Sequence, residues 1–213
     1  MPNSRDFFDA IAKRYDRQYA FSGAETRRRG GPLMHALGTA PRRILDLGIG
    51  TGRELAMLLD AGHDVVGIDV SVAMIAECNK RARTVRIAVG DFYEPLPWDD
   101  ASFDAVIALH GTLAHPPFDG AHADLFAEVA RVLRPRSPFW FEVPHDGFLP
   151  IASQLGQVVS GDTFVATDPN TALALIGVAW PKPRWEALLA PHFVVHPAPD
   201  PSPFECAFHA ERA

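Results

Sequence analysis

The chain has 213 residues, of which 47% are hydrophobic and 22% charged, the balance of an ordinary soluble globular protein with one sizeable core. Its net charge of −6 argues against nucleic acid as the partner, because proteins that bind a phosphate backbone carry a basic stripe. No apolar run approaches the roughly 20 residues of a membrane span, and the amino terminus lacks a secretory h-region, so no membrane association and a cytoplasmic location are expected.

In chain order, residues 5–19 place Phe7, Phe8, Ile11, Tyr15 and Tyr19 at helical spacing with charge on the opposite face, which predicts an amphipathic helix. Gly30-Gly31-Pro32 is expected to end any helix that continues beyond it, and "LMHALG" to begin another short one. The run Arg27–Arg29 reads as solvated surface, with a second use in meeting an acidic substrate group. From Arg42 the pattern alternates. "RRILDL", "DVVGID", "VRIAVG" and "FDAVIAL" are nearly continuous apolar runs, as in parallel strands buried on both faces. "RELAMLLDAG" and "SVAMIAECNKRA" read as helices between the first three, with Gly62 at a helix end and Ser71 at an N-cap. Right-handed crossovers then give a doubly wound α/β sheet.

Residues 121–133 form a further helix stopped at Arg134-Pro135, and "PFWFEV" returns as a fifth strand. "DTFVAT-DPN-TALALIGVAW" predicts two β segments around a turn with Pro169 and Asn170 at its centre. "PRWEALLAP" is a last helix, followed by the strands "HFVVHP" and "PFECAFHA". No repeat and no flexible linker divides the chain. A single domain is expected, with an N-terminal helical lid at 1–40, a cofactor-binding core at 41–143, a substrate-side insertion at 144–180 and a C-terminal helix and hairpin at 181–213. Cys78 and Cys206 fit no metal or redox spacing and read as free buried thiols.

The chemistry concentrates in Asp46-Leu47-Gly48-Ile49-Gly50-Thr51-Gly52, between the first strand and the first helix of the alternating region. Side-chain-free positions let the backbone turn sharply and a ligand lie against it, and the helix N-terminus beyond favours an anionic group. Asp69 ends the second strand 21 residues after Gly48, where a carboxylate accepts both hydrogen bonds of a ribose diol. A nicotinamide dinucleotide fingerprint would need its third glycine at position 53, which is Arg53; this disfavours a reductase.

The spacing D-x-G-x-G-x-G with "GIDVS" after it resembles the class I S-adenosylmethionine-dependent methyltransferases, over about residues 42–143 by motif. The resemblance implies a seven-stranded, mostly parallel sheet with helices on both faces and an antiparallel last strand. It implies S-adenosylmethionine as cofactor, S-adenosylhomocysteine as product, and methyl transfer to O, N or C of a small-molecule acceptor. The alternative is a non-catalytic S-adenosylmethionine-binding protein of the same fold. Asp46, Gly48, Ile49, Gly50 and Gly52 would surround the methionine part, and Asp69 and Val70 the ribose. Met74, Asp91 and Phe92 would hold the adenine, with Asp91 accepting from its amino group. Leu109 and His110 end the fourth strand, where family members bring a backbone carbonyl to the methionine amine. Tyr15, in the lid helix, would reach the cofactor's carboxylate.

His110, His115 and His145 gather at the ends of strands four and five, and His110 is the preferred catalytic base because it closes a strand. No compact carboxylate cluster stands near 110–119, so no metal is expected. "LHGTLAHPP" replaces the motif of the branch that methylates amide nitrogens and exocyclic amines of nucleic acids. Phe148, Phe164, Trp140 and Trp180 are candidates to line an acceptor pocket. A monomer or homodimer is expected.

Overall fold

A computed structural model describes residues 4–20, 22–117 and 120–213, without the side chain of residue 158. Residues 1–3 and 21 of the expected lid, and 118 and 119 in the stretch searched for carboxylates, lie outside the described residues.

Two helices, α1 (Ser4–Gln18) and α2 (Gly23–Leu37), precede the alternating region. There β1 (Arg43–Leu47), α3 (Leu55–Asp60), β2 (Asp64–Asp69), α4 (Val72–Arg81) and β3 (Arg86–Val89) follow one another. They lead to β4 (Ala105–Ala108), α5 (Ala121–Val132) and β5 (Pro138–Pro144). Helix α6 (Leu149–Gln154) then introduces three short strands, β6 (Val158–Ser160), β7 (Thr163–Thr167) and β8 (Ala174–Val178). The chain closes with α7 (Lys182–Leu189), β9 (Phe193–His196) and β10 (Glu205–Arg212).

Seven strands form one sheet in the order β3-β2-β1-β4-β5-β10-β9. Neighbours from β3 to β5 pair parallel, and β10 runs antiparallel to both β5 and β9. This is the doubly wound sheet expected from the apolar runs, with the last strand reversed. The runs are continuous because β4 and β5 are buried at every position, so both faces are apolar apart from Glu142, which has an arginine partner. On one face Leu125, Phe126 and Val129 of α5 and Trp185 of α7 pack on Phe139, Phe141 and Phe208. On the other, Leu33 and Leu37 of α2, Leu55 and Leu58 of α3 and Cys78 of α4 pack on Ile44, Ile107 and Trp140. Trp140 therefore belongs to the core beneath α2 and not to a pocket wall.

Helix α2 corrects one expectation, because it runs straight through Gly30, Gly31 and Pro32. A Cβ on Gly30 would stand 2.7 Å from Met57 Sδ, so the glycine lets α2 lie close on α3. Pro32 forgoes one helical hydrogen bond, at a cost of about 3 kcal/mol. Beyond it Leu33 and Leu37 are fully buried, which returns about 1.5–3 kcal/mol each. The start is secured by a capping box between Ser22 and Glu25. Helix α3 is shorter than its apolar pattern suggested, leaving Arg53 and Glu54 in the turn before it.

The β7–β8 pair turns at Asp168, whose carboxylate accepts the Thr171 amide at 2.9 Å and hydroxyl at 2.7 Å. Strand β6 completes a separate three-stranded antiparallel sheet, one strand more than the two β segments expected there. Helix α1 lies between this sheet and α4. Phe7, Ile11 and Ala12 pack with Met74 and Leu175, and Arg14 is ion-paired to Asp168.

Candidate active site

Strands β1 and β2 end side by side, and the glycine turn folds back over β2. Gly48 and Ile49 both donate to the Ile68 carbonyl, at 2.8 and 3.2 Å. Gly48 has a φ of +67° and meets Thr112, whose Cγ2 would lie 2.5 Å from a Cβ there. Only glycine satisfies both the left-handed backbone and the close approach. Gly52 serves packing, since a Cβ on it would strike Leu55 and the Cys78 sulfur. The Ile49 side chain is directed into the fold, over Gly67.

Asp69 is held by its own loops. One carboxylate oxygen accepts the Gly50 amide at 2.7 Å and the other the Ser71 amide at 2.8 Å. Each oxygen keeps lone-pair capacity, so two further donors from a diol fit the residue. Burial raises its pKa above the ordinary carboxylate value, against the two amide hydrogen bonds. Asp46 is buried deeper, and burial followed by the charges of Glu54 and Asp69 raises its pKa well above that range.

A cleft of about 1150 Å³ opens at these strand ends. Gly48, Gly50, Asp69 and Val70 line it, with Met74, Asp91 and Phe92 beside them and Tyr15 and His110 across. Of the residues expected to contact a cofactor, Asp46, Ile49, Gly52 and Leu109 do not line the cleft; they lie behind its wall. The Leu109 carbonyl accepts the Thr112 amide and hydroxyl, at 3.2 and 2.8 Å. One Asp91 oxygen accepts the Tyr93 amide at 2.9 Å. Tyr15 is pushed up to about 12 by burial, partly opposed by Arg53, whose guanidinium lies 6.0 Å from its ring centre. Helix α1 is tied over this half. Asp9 accepts the Ser71 hydroxyl and the Ala73 amide, and Asp16 accepts the Thr51 hydroxyl and pairs with Arg81.

A polar chain crosses the cleft floor. Nε2 of His110 meets the Glu54 carboxylate, and the His110 amide donates to Glu142 at 3.4 Å. Burial works to raise Glu54, yet the His110 hydrogen bond and charge bring it below the ordinary glutamate value. Burial raises Glu142, although Arg29 bonds it at 2.9 Å. Arg29 also pairs with Glu205. Arg29 is thus a half-buried part of the wall, unlike its exposed neighbours Arg27 and Arg28, which corrects the reading of the whole run as surface. His110 holds a φ of +57°, a conformation costing a non-glycine residue about 1–2 kcal/mol.

The other two histidines differ. His145 uses both ring nitrogens structurally, Nε2 donating to the Pro203 carbonyl at 3.0 Å and Nδ1 accepting the Gly147 amide at 2.9 Å. His115 lines the cleft, with Nδ1 2.8 Å from the Ile176 carbonyl. Phe148, Phe164 and Trp180 line the same half. Glu54, Glu142 and Arg184 were not singled out from sequence; the one legible signal was a glutamate inside the apolar strand "PFWFEVP". Among the described residues no group of three or more His, Cys, Asp or Glu is arranged to hold a metal ion, and no helix is long and apolar enough to cross a membrane.

Residues 44–136 match the family model described as "Methyltransferase domain". The sheet order and the antiparallel last strand are the fold of the class I methyltransferases. The matched segment begins at β1 and ends before β5, so it contains the glycine turn, Asp69, Asp91 and His110. The chain is 40% identical over 130 residues to a demethylmenaquinone methyltransferase of Beutenbergia cavernae, covering 60% of this chain and 52% of that protein. The chain spans about half the length of the curated relatives it matches. Its fold is similar to the Burkholderia thailandensis 1,6-didemethyltoxoflavin-N1-methyltransferase (TM-score 0.71, 21% identity, 98% and 87% of the two chains). It is likewise similar to the CcbJ methyltransferase of Streptomyces caelestis (TM-score 0.76, 19% identity, 99% of each chain).

Proposed function

We propose that this protein is an enzyme that transfers the methyl group of S-adenosylmethionine to a small-molecule acceptor. The observation that carries the reading is Asp69, a buried carboxylate fixed by Gly50 and Ser71 at the strand end where a ribose diol is recognised, on the wall of a cleft shared with Asp91 and Phe92. The residues fit the cofactor. Gly48 and Gly50 leave room for a chain along the turn, and Asp91 retains an oxygen for an exocyclic amine while Phe92 and Met74 pack a ring. Tyr15 covers the site from the lid helix.

S-adenosylmethionine supplies a methyl already activated on a sulfonium, so the chain's task is alignment and exclusion of water. Helix α1 excludes water through its ties at Asp9 and Asp16. His110 is a positioning residue, because Glu54 fixes its ring and Glu142 fixes its amide, and together they hold the loop leaving β4. The acceptor binds in the half of the cleft formed by this loop and the β6–β8 sheet. A small molecule suits that enclosed chamber, and the relative named for demethylmenaquinone points to the same size class.

Calorimetric titration with S-adenosylmethionine, S-adenosylhomocysteine and NADH tests the cofactor. Micromolar binding of the first two, without NADH, is expected. Binding of NADH alone would overturn the reading.

A further inference from the structure

We propose that the acceptor half of the cleft takes a flat aromatic alcohol, whose hydroxyl proton passes to Nε2 of His115. The inference rests on the methyl-transfer reading and deepens it.

Three observations carry it. The Ile176 carbonyl can only accept, so the ring nitrogen 2.8 Å from it, Nδ1, carries the hydrogen. In the neutral ring the lone pair is then on Nε2. Neither of the other two cleft-end histidines offers this arrangement: His110 Nε2 faces Glu54 and both His145 nitrogens are engaged.

The surroundings of His115 are aromatic. Phe8 of α1 and Phe164 of β7 stand edge-on to its ring, each with centres 6.3 Å away, and Phe148 packs edge-on to Phe164 at 5.0 Å. Trp180 and Ile176 continue the wall. Burial holds the imidazole below its ordinary pKa, with the Ile176 hydrogen bond opposing, so the ring is neutral at neutral pH and its Nε2 lone pair is unprotonated.

The charges argue against an anionic acceptor. The two arginines lining this half already have carboxylate partners: Arg29 has Glu142 and Glu205, and Arg184 has Asp162 at 2.6 Å while lying 3.8 Å from the Trp180 ring centre. An uncharged hydroxyl needs a base at the moment of transfer, whereas an amine can lose its proton afterwards. In the step, the acceptor oxygen forms its bond to the methyl carbon as the carbon–sulfur pair returns to sulfur. The O–H proton moves to Nε2, leaving the methyl ether, a neutral thioether and an imidazolium that solvent discharges.

The test uses the full chain, labelled with 15N in histidine and saturated with S-adenosylhomocysteine, with 1-naphthol and 1-methoxynaphthalene as probes. Long-range 1H–15N spectra should show neutral His115 protonated on Nδ1, and an Nε2 resonance that moves with the alcohol and not with its ether. His115→Asn keeps a donor for Ile176 and lacks the base. It should bind S-adenosylhomocysteine within twofold of wild type and methylate 1-naphthol about 100-fold more slowly or worse. A neutral ring protonated on Nε2, an Nε2 signal moved by neither probe or by both equally, or an undiminished rate in His115→Asn would overturn the proposal. Failure of S-adenosylhomocysteine to bind the wild-type chain would sink the cofactor reading and this proposal with it. Binding with an unmoved Nε2 would sink the proposal alone.

Discussion

Replacing Asp69 by asparagine tests the cofactor site with the least structural damage. The carboxylate accepts one backbone amide on each oxygen, from Gly50 at 2.7 Å and Ser71 at 2.8 Å. Alanine would orphan both amides, at about 1–3 kcal/mol each, and the chain could fail for that reason alone. Asparagine keeps the shape and one acceptor oxygen. Its NH2 group must face either an amide donor or a ribose hydroxyl, so at least one charge-assisted hydrogen bond to the ligand is lost. Such a bond is worth about 1.5–3 kcal/mol, which predicts S-adenosylhomocysteine affinity lower by about 10- to 150-fold. Calorimetry on Asp69→Asn reads this directly, and circular dichroism reports whether the fold survives. A folded variant that binds within twofold of wild type would refute the assignment of Asp69 to the ribose.

Four further outcomes are expected. His122 is buried, donates to the Leu113 carbonyl at 2.7 Å, and has its pKa lowered to about 4 chiefly by burial. Its folded pKa lies below the unfolded value of about 6.5, so the unfolded chain takes the proton first. Its contribution to stability is therefore full above pH about 6.5 and falls as the pH drops toward 4, by about 3 kcal/mol; urea unfolding of wild type against His122→Gln should show a shallower slope in the variant. Gly48→Ala should cost at least about 1–2 kcal/mol from its positive φ, plus the clash with Thr112, and Gly48→Ala with Thr112→Ser should melt higher than Gly48→Ala alone. Asp168 is lowered to about 2 because its bonds from Thr171 and Arg14 outweigh burial, so the tie between α1 and the β7–β8 turn should hold above pH about 4 and loosen as the pH falls toward 2, read as hydrogen exchange in α1. Methyl transfer should survive EDTA, because the acidic residues that line the acceptor half, Glu205 and Asp162, are paired with Arg29 and Arg184; loss of activity would point to a metal-held acceptor.

The sheet was legible because parallel strands buried on both faces write themselves as apolar runs, and the glycine turn because a positive φ at Gly48, Gly50 and Gly52 strongly favours glycine. Asp69 was legible because it ends β2, and Asp91 because it stands just past β3. The course of α2 was not, since whether Gly30 breaks a helix depends on Met57 packing against it, a contact made by tertiary structure. Arg29 was misread with its neighbours for a related reason: three successive helical residues point in three directions, and only one of them meets Glu142. The division of work among the histidines was beyond reach, because it is decided by carbonyls and carboxylates distant in the chain, Ile176 for His115 and Glu54 for His110.

Helix α1 places Tyr15 against the cofactor half and Phe8 against the acceptor half, while Arg14 reaches the β7–β8 turn. One rigid element thus roofs two chambers, and neither can be vacated without disturbing the other. On the methyl-transfer reading, an ordered sequence of ligands is therefore expected. With the nucleoside entering first and leaving last, α1 would keep its ties at Asp9, Asp16 and Arg14 while the acceptor is bound. Product inhibition should follow that order, with S-adenosylhomocysteine competing against the methyl donor and not against the acceptor.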